Sequence, residues 1–188
     1  MSALSSLMIG HGGHRGIASL LMAPISSLQV TIDPYICNGM DGRRFDAKQA
    51  PRIVRNLHAV IVELSEYSTS RGAAAGSEFN VLEAAAHMDI PCVLVVNSCW
   101  HAELTNYLKN PAIASAIRLV VISTAVTERG ETDLLDGFPK AKALRYRPQT
   151  TIEIAREIKQ LAEMYANTTL EAPTQKTIGR ILPPYAVD

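Results

Sequence analysis

The feature that most constrains this chain is the alternation of short apolar runs, rich in β-branched residues, with segments of helical pattern. Such alternation predicts a parallel sheet covered by helices on both faces. We therefore expect a single three-layer α/β domain with a mainly parallel sheet of about five strands, of flavodoxin-like or Rossmann-like type. The predicted strands are 5–9, 27–32, 58–64, 92–96 and 118–123, with a weaker sixth at 143–147.

The segments between these runs have helical pattern or turn composition. We predict that Ser77 caps a helix opened by Gly76-Ser77-Glu78, and that the polar, glycine-containing segment 126–142 is a long connection. The α/β nucleotide-binding-like domain is expected to occupy 1–166, and 167–188 to form a C-terminal extension on the surface or on a partner subunit of a homo-oligomer. The other predicted helices are 15–23, 47–57, 102–110 and 152–166.

Composition restricts the partners and the compartment. The 188 residues suffice for one core, and the formal net charge of +0 gives no general attraction to nucleic acid or to an anionic membrane. The cysteines Cys37, Cys92 and Cys99 include no CxxC pair, and two of them lie in or beside an apolar strand. A reducing, cytoplasmic compartment fits this usage best. The first residues lack the basic segment and the apolar length of a signal peptide or anchor.

Ligands of open parallel sheets bind outside the carboxyl ends of the strands, so the loops that follow the strands carry the candidate site. The first loop, 10–16, has the sequence GHGGHRG. Gly10 and Gly12 would let the backbone approach a phosphate or a sugar, and His11 and Arg15 add polar groups. The loop is neither GxGxxG nor a Walker A motif, and a tight turn explains its glycines equally well. Two histidines three residues apart, without acidic or thiol neighbours, do not predict a metal site.

Two further loops are rich in polar side chains. The loop between the third strand and the next helix contains Ser68, Ser70 and Arg71, which could hydrogen-bond a sugar or a monophosphate or simply be solvated. Asn97 opens the loop after the fourth strand, where Trp100 could stack on a base but is rather expected to pack on the sheet end. We predict a pocket lined by 10–16, 65–77 and 97–101.

Two glutamates, Glu78 and Glu83, follow the second of these loops. Glu78 is predicted in the first turn of the helix, where the helix dipole favours a carboxylate. Glu83 lies five residues further on, about 140° away around the helix, so the two cannot face one pocket equally. Spacing alone leaves open whether either is catalytic or a solvated helix carboxylate.

The segment 58–96 runs from an apolar strand through a polar loop, a glycine with a small hydroxyl residue and a glutamate-bearing helix to a strand that begins near a proline. This order resembles the nucleoside 2-deoxyribosyltransferase-like proteins and is similar to their N-glycosidase and TIR-like relatives. The resemblance implies that Glu78 or Glu83 acts at the anomeric carbon of a nucleoside or nucleotide. It also implies that Gly10 and Gly12 belong to the opening turn. Ribose or phosphate would be held by Ser68, Ser70, Arg71 and Ser77.

Two functions follow as hypotheses. The first is a hydrolase or transferase that acts on the N-glycosidic bond of a nucleoside or nucleotide, without a cofactor or a metal. The second is a non-catalytic nucleotide- or nucleotide-sugar-binding or signalling module of the same fold. A receiver domain is set aside, because it needs an aspartate at the end of the third strand and a lysine after the fifth. Here Glu63-Leu64-Ser65 and Thr124-Ala125 stand at these places.

Overall fold

The computed structural model describes residues 3–10, 16–36, 48–64, 75–96 and 110–178. Within these residues, six strands form one sheet in the order β2-β1-β3-β4-β5-β6, and every neighbouring pair is parallel. The predicted α/β class is confirmed, with the strand order of flavodoxin-like folds. The weaker sixth run forms an edge strand, so the sheet has one strand more than predicted. The strands are β1 Leu4–Gly10, β2 Val30–Ile36, β3 Ala59–Leu64, β4 Cys92–Val96, β5 Ile117–Ile122 and β6 Lys142–Arg145.

Helices cover both faces of this sheet. Helices α2 to α5 pack on one face, and α1 and α6 pack on the other. The described core therefore consists of two apolar layers with the sheet between them. The helices are α1 Ile17–Ser27, α2 Ala50–Val54, α3 Ala75–His87, α4 Pro111–Ala116, α5 Glu128–Gly137 and α6 Thr151–Ile178, with a short 3-10 turn at Pro148–Thr150.

The segment predicted as a long polar connection contains a helix instead. Helix α5 begins after Thr127, whose Oγ1 accepts a hydrogen bond of 3.2 Å from the Gly130 N–H. Glu128 lies in its first turn, where the helix dipole favours a carboxylate. Leu134 and Phe138 are buried against the sheet. Two buried apolar side chains and the Thr127 N-cap therefore suffice to form a helix in a segment whose composition is that of a loop.

Two predicted helix boundaries are also wrong. Helix α3 begins at Ala75, so Ser77 is its third residue and does not occupy the N-cap position. Helix α6 continues to Ile178 rather than ending at residue 166, so the proposed domain boundary falls inside one continuous helix. The helix predicted at 102–110 lies almost wholly outside the described residues.

The end of helix α1 contains a residue of unfavourable backbone conformation. Gln29 has a φ of 65° and an exposed side chain. A residue with a Cβ is strained in this region, whereas glycine is not. We expect Gln29→Gly to raise the free energy of unfolding by about 1 kcal/mol. Urea titrations of Gln29→Gly and Gln29→Ala test this, because alanine removes the same side chain and keeps the strain. An equal gain in both variants would contradict the explanation.

Cys92 is a buried free thiol at the start of the central strand β4. Burial raises its pKa to about 12, from a reference value of 9.0, although the charge of Arg118 acts in the opposite direction. Above pH 9 the unfolded chain can release the thiol proton and the folded chain cannot, so stability must fall as the pH rises toward 12. We expect a loss of about 1.4 kcal/mol between pH 7 and pH 10.

This loss is measured by comparing urea unfolding of a Cys37→Ser, Cys99→Ser variant with the same variant carrying Cys92→Ala. Tyrosine and lysine titrations are common to both proteins, so the difference between their pH profiles reports the thiol at position 92. Parallel profiles between pH 8 and pH 10 would show that the Cys92 thiol ionises equally in the folded and unfolded chains.

Candidate functional site

The strand order places a topological switch point between β1 and β3. The chain leaves β1 through α1 to reach β2 on one side, while β3 lies on the other side. In the β1–β3 pair, Ile9 lies opposite Val62. The carboxyl ends of both strands, Gly10 and Glu63-Leu64, are therefore close together at the crevice where open α/β sheets bind ligands.

Glu63 is the most unusual residue of this crevice. Side chains alternate along β3, so that Val60 and Val62 belong to one apolar layer and Ile61 to the other. Glu63 follows Ile61 on the face covered by α1, and it is only 1% exposed. A carboxyl group thus occupies a position of a central strand where the neighbouring side chains on the same face are apolar.

The carboxyl group of Glu63 binds the beginning of helix α1. Its Oε1 accepts a hydrogen bond of 3.0 Å from the Ile17 N–H, and its Oε2 accepts one of 3.0 Å from the Ala18 N–H. These are the first two residues of α1, whose N–H groups have no partner within the helix. Glu63 of strand β3 therefore caps the N-terminus of α1.

Gly16 makes room for this arrangement. It is the N-cap residue of α1, with extended backbone angles of φ −72° and ψ 147°, and no side chain caps the helix from this position. A Cβ built on Gly16 would lie 2.5 Å from Glu63 Oε2 and 3.2 Å from Glu63 Cδ. The absence of a side chain at residue 16 is thus a condition for the contact between β3 and α1.

Electrostatics explain why a carboxyl group is tolerated at this depth. Burying a charge without partners is strongly unfavourable, but hydrogen bonds to two backbone N–H groups offset much of that cost. The positive end of the α1 dipole adds to the stabilisation. The N-terminus of α1 is consequently neutralised by the protein itself.

The predicted site residues are described only in part. Gly10 ends β1 at the switch point, and Ser77, Glu78 and Glu83 belong to α3. The remaining predicted substrate-binding residues lie outside the described residues, as do most of the three loops predicted to line the pocket. These residues are His11, Gly12, Arg15, Ser68, Ser70, Arg71 and Asn97.

The two candidate glutamates lie at different positions along the axis of α3. The helix begins at the edge where β3 ends and returns to the edge where β4 begins. Glu78 is its fourth residue, as expected for the first turn, and Glu83 lies about 7.5 Å further along the axis. Glu83 is partly buried and follows the buried Val81 and Leu82. Only Glu78 therefore belongs to the end of α3 that is near the switch point.

A serine–histidine pair at the opposite ends of the strands, where β1 and β3 begin, has a structural role. His58 Nδ1 accepts a hydrogen bond of 3.1 Å from the Ser5 N–H, and the His58 N–H donates to the Ser5 carbonyl at 2.8 Å. The Tyr165 ring contacts His58 edge-on, and its hydroxyl donates to the Met88 carbonyl at 3.1 Å. Burial, and secondarily the charge of Asp89, raise the pKa of Tyr165. These contacts join β1 and α6 to the residues just before β3 and just after α3, far from the carboxyl ends of the strands.

Two kinds of site are absent from the described residues. No group of three or more histidine, cysteine, aspartate or glutamate side chains that could hold a metal ion occurs among them. Within the same residues, no helix combines the length and the apolar character needed to cross a membrane.

Comparison with known proteins adds a structural similarity. The chain matches no family model and no curated protein. It is similar to the crystal structure of a diflavin flavoprotein A3 from Nostoc sp., with a TM-score of 0.47 and 15% sequence identity over 92% of this chain and 99% of that one.

Proposed function

We propose that this protein hydrolyses or transfers the N-glycosidic bond of a nucleoside or nucleotide, with Glu78 as the carboxylate that acts at the anomeric carbon. The observation that carries the proposal is the start of α3 at the carboxyl edge of the sheet, with Glu78 as its fourth residue. This end of the helix follows β3, one of the two strands of the switch point, where α/β sheets bind ligands.

The chemistry requires one nucleophilic carboxylate. Glu78 would attack the anomeric carbon of the sugar, the bond from that carbon to the base nitrogen would break, and the base would leave after taking up a proton from solvent water at a ring nitrogen. The resulting glycosyl ester is resolved either by water, which gives the free sugar or its phosphate, or by a second base, which gives a new nucleoside or nucleotide, and Glu78 is released in both cases. Hydrolysis and transfer thus share the first step.

Two other carboxylates of the β3–α3 unit are less suited to this role. Glu63 is 1% exposed, and both of its oxygens are engaged by backbone N–H groups of α1. Glu83 lies in the third turn of α3, away from the carboxyl ends of the strands. Of the three glutamates that the structure describes on β3 and α3, we therefore favour Glu78, which lies in the first turn of α3.

The proposed setting is a homo-oligomer in the cytoplasm. The buried free thiol of Cys92 fits a reducing compartment. Light scattering after gel filtration measures the oligomeric state directly.

The test of the function is a panel of purine and pyrimidine ribonucleosides, 2′-deoxyribonucleosides and their 5′-monophosphates. Each is incubated with the wild-type protein, with and without a second free base as acceptor, and products are separated by chromatography. Release of a base, or appearance of a new nucleoside, supports the proposal. Saturable binding of a panel member without any product would instead support the non-catalytic binding module.

A further inference from the structure

We infer that Glu63 is a specificity-determining residue, which keeps phosphate away from the N-terminus of α1 and so selects nucleosides over nucleotides. The selection of substrate rests on the proposed function. The exclusion of phosphate rests only on the geometry of β3 and α1.

The N-terminus of the first helix at a switch point is ordinarily an anion site. Its free N–H groups and the positive end of its dipole bind phosphate groups in open α/β sheets. In this protein the Ile17 and Ala18 N–H groups already donate to the two oxygens of Glu63, each at 3.0 Å. The carboxyl group thus occupies the donors that a phosphate would use.

Glu63 is also too firmly placed to be exchanged for a ligand. Its backbone belongs to β3, in register with Val95 of β4, and its side chain is 1% exposed. The Gly16 backbone lies directly against it, since even a Cβ there would approach Oε2 to 2.5 Å. A phosphate that approaches this end of α1 would meet a like charge at close range.

A carboxylate at this end of α1 discriminates between substrates by their charge. A nucleoside bound in the crevice would bring uncharged hydroxyl groups toward this end of α1, whereas a 5′-monophosphate would bring a doubly negative group. We expect the wild-type protein to favour a nucleoside over its 5′-monophosphate by at least about tenfold in kcat/KM.

Amide chemical shifts test the exclusion without any enzymatic assay. Inorganic phosphate is titrated into isotope-labelled wild type, Glu63→Ala and Glu153→Ala, and the signals of Ile17 and Ala18 are followed. Glu153→Ala is the matched control, because it removes an exposed carboxylate from the first turn of α6. Saturable shifts of both amides are expected in Glu63→Ala alone. Saturable shifts in wild type, or their absence in folded Glu63→Ala, would overturn the inference.

A second variant covers the case in which Glu63→Ala does not fold. Glu63→Gln removes the charge and keeps one acceptor oxygen, so at least one of the two N–H groups is released for phosphate. Its Ile17 and Ala18 signals should respond to phosphate where those of wild type do not. An unresponsive, folded Glu63→Gln would count against the inference.

Enzyme kinetics distinguish the proposed function from the proposed role of Glu63. The kcat/KM ratio of a nucleoside to its 5′-monophosphate should fall by about tenfold or more in Glu63→Gln relative to wild type. An unchanged ratio would show that Glu63 does not set substrate charge. Complete absence of base release from every substrate would refute the proposed function, while the phosphate titration would still decide the role of Glu63.

Discussion

Replacing Glu78 by Gln is expected to lower the rate of base release by roughly three orders of magnitude or more. The amide of glutamine has nearly the size of the carboxyl group but is not a nucleophile, so the glycosyl ester cannot form. Residue 78 lies inside α3, and glutamine is a good helix former, so the helix itself should persist. The rate is measured by chromatography of the free base, on the best substrate of the nucleoside panel.

Glu83→Gln is the matched control for this experiment. It makes the same chemical change on the same helix, about 7.5 Å further from the carboxyl edge of the sheet. We expect it to lower the rate by less than about tenfold. Full activity in Glu78→Gln together with its loss in Glu83→Gln would show that the nucleophile is the deeper glutamate.

Chemical rescue distinguishes a nucleophile from a carboxylate that merely maintains the helix. In Glu78→Ala the side chain is removed, and added formate or azide can take its place at the anomeric carbon. Partial recovery of base release with increasing azide is expected, accompanied by a glycosyl azide product. A structural role for Glu78 would give no such product.

The general architecture could be predicted because it depends on local pattern. Strands β3, β4 and β5 are largely buried on both faces, so they are apolar runs interrupted only by Glu63 and Arg118, and their positions agree closely with the prediction. Strand β2 was predicted three to four residues too early, at 27–32 instead of Val30–Ile36. Pro34 normally argues against a strand, but β2 lies at the edge of the sheet, where a missing donor is tolerated.

The importance of Glu63 could not be predicted from local pattern. Its partners, Ile17 and Ala18, lie 46 and 45 residues away in sequence, and their proximity follows from the pairing of β1 with β3. A usable signal was nevertheless present, since a charged residue in an apolar strand requires a partner. Interpreted from sequence alone, Glu63 is only a departure from the receiver-domain pattern, and this signal is missed.

Gly16→Ala is expected to destabilise the protein by about 2 kcal/mol, because the new Cβ would lie 2.5 Å from Glu63 Oε2 and would displace the carboxyl group from the N-terminus of α1. Glu63→Ala alone should cost about 3 kcal/mol, since it removes both hydrogen bonds and leaves the Ile17 and Ala18 N–H groups without their acceptor. Urea unfolding of the two single variants and the double variant then measures how far the two losses overlap.

In the double variant the Cβ at residue 16 meets no carboxylate, so Gly16→Ala should cost about 1 kcal/mol less in the Glu63→Ala background than in wild type. The lower preference of an N-cap position for alanine contributes equally in both backgrounds and cancels from the comparison. Additive losses would mean that Gly16 and Glu63 act independently. A coupling of the expected size would establish in solution that one residue pair, rather than a bound anion, completes the first helix at the switch point.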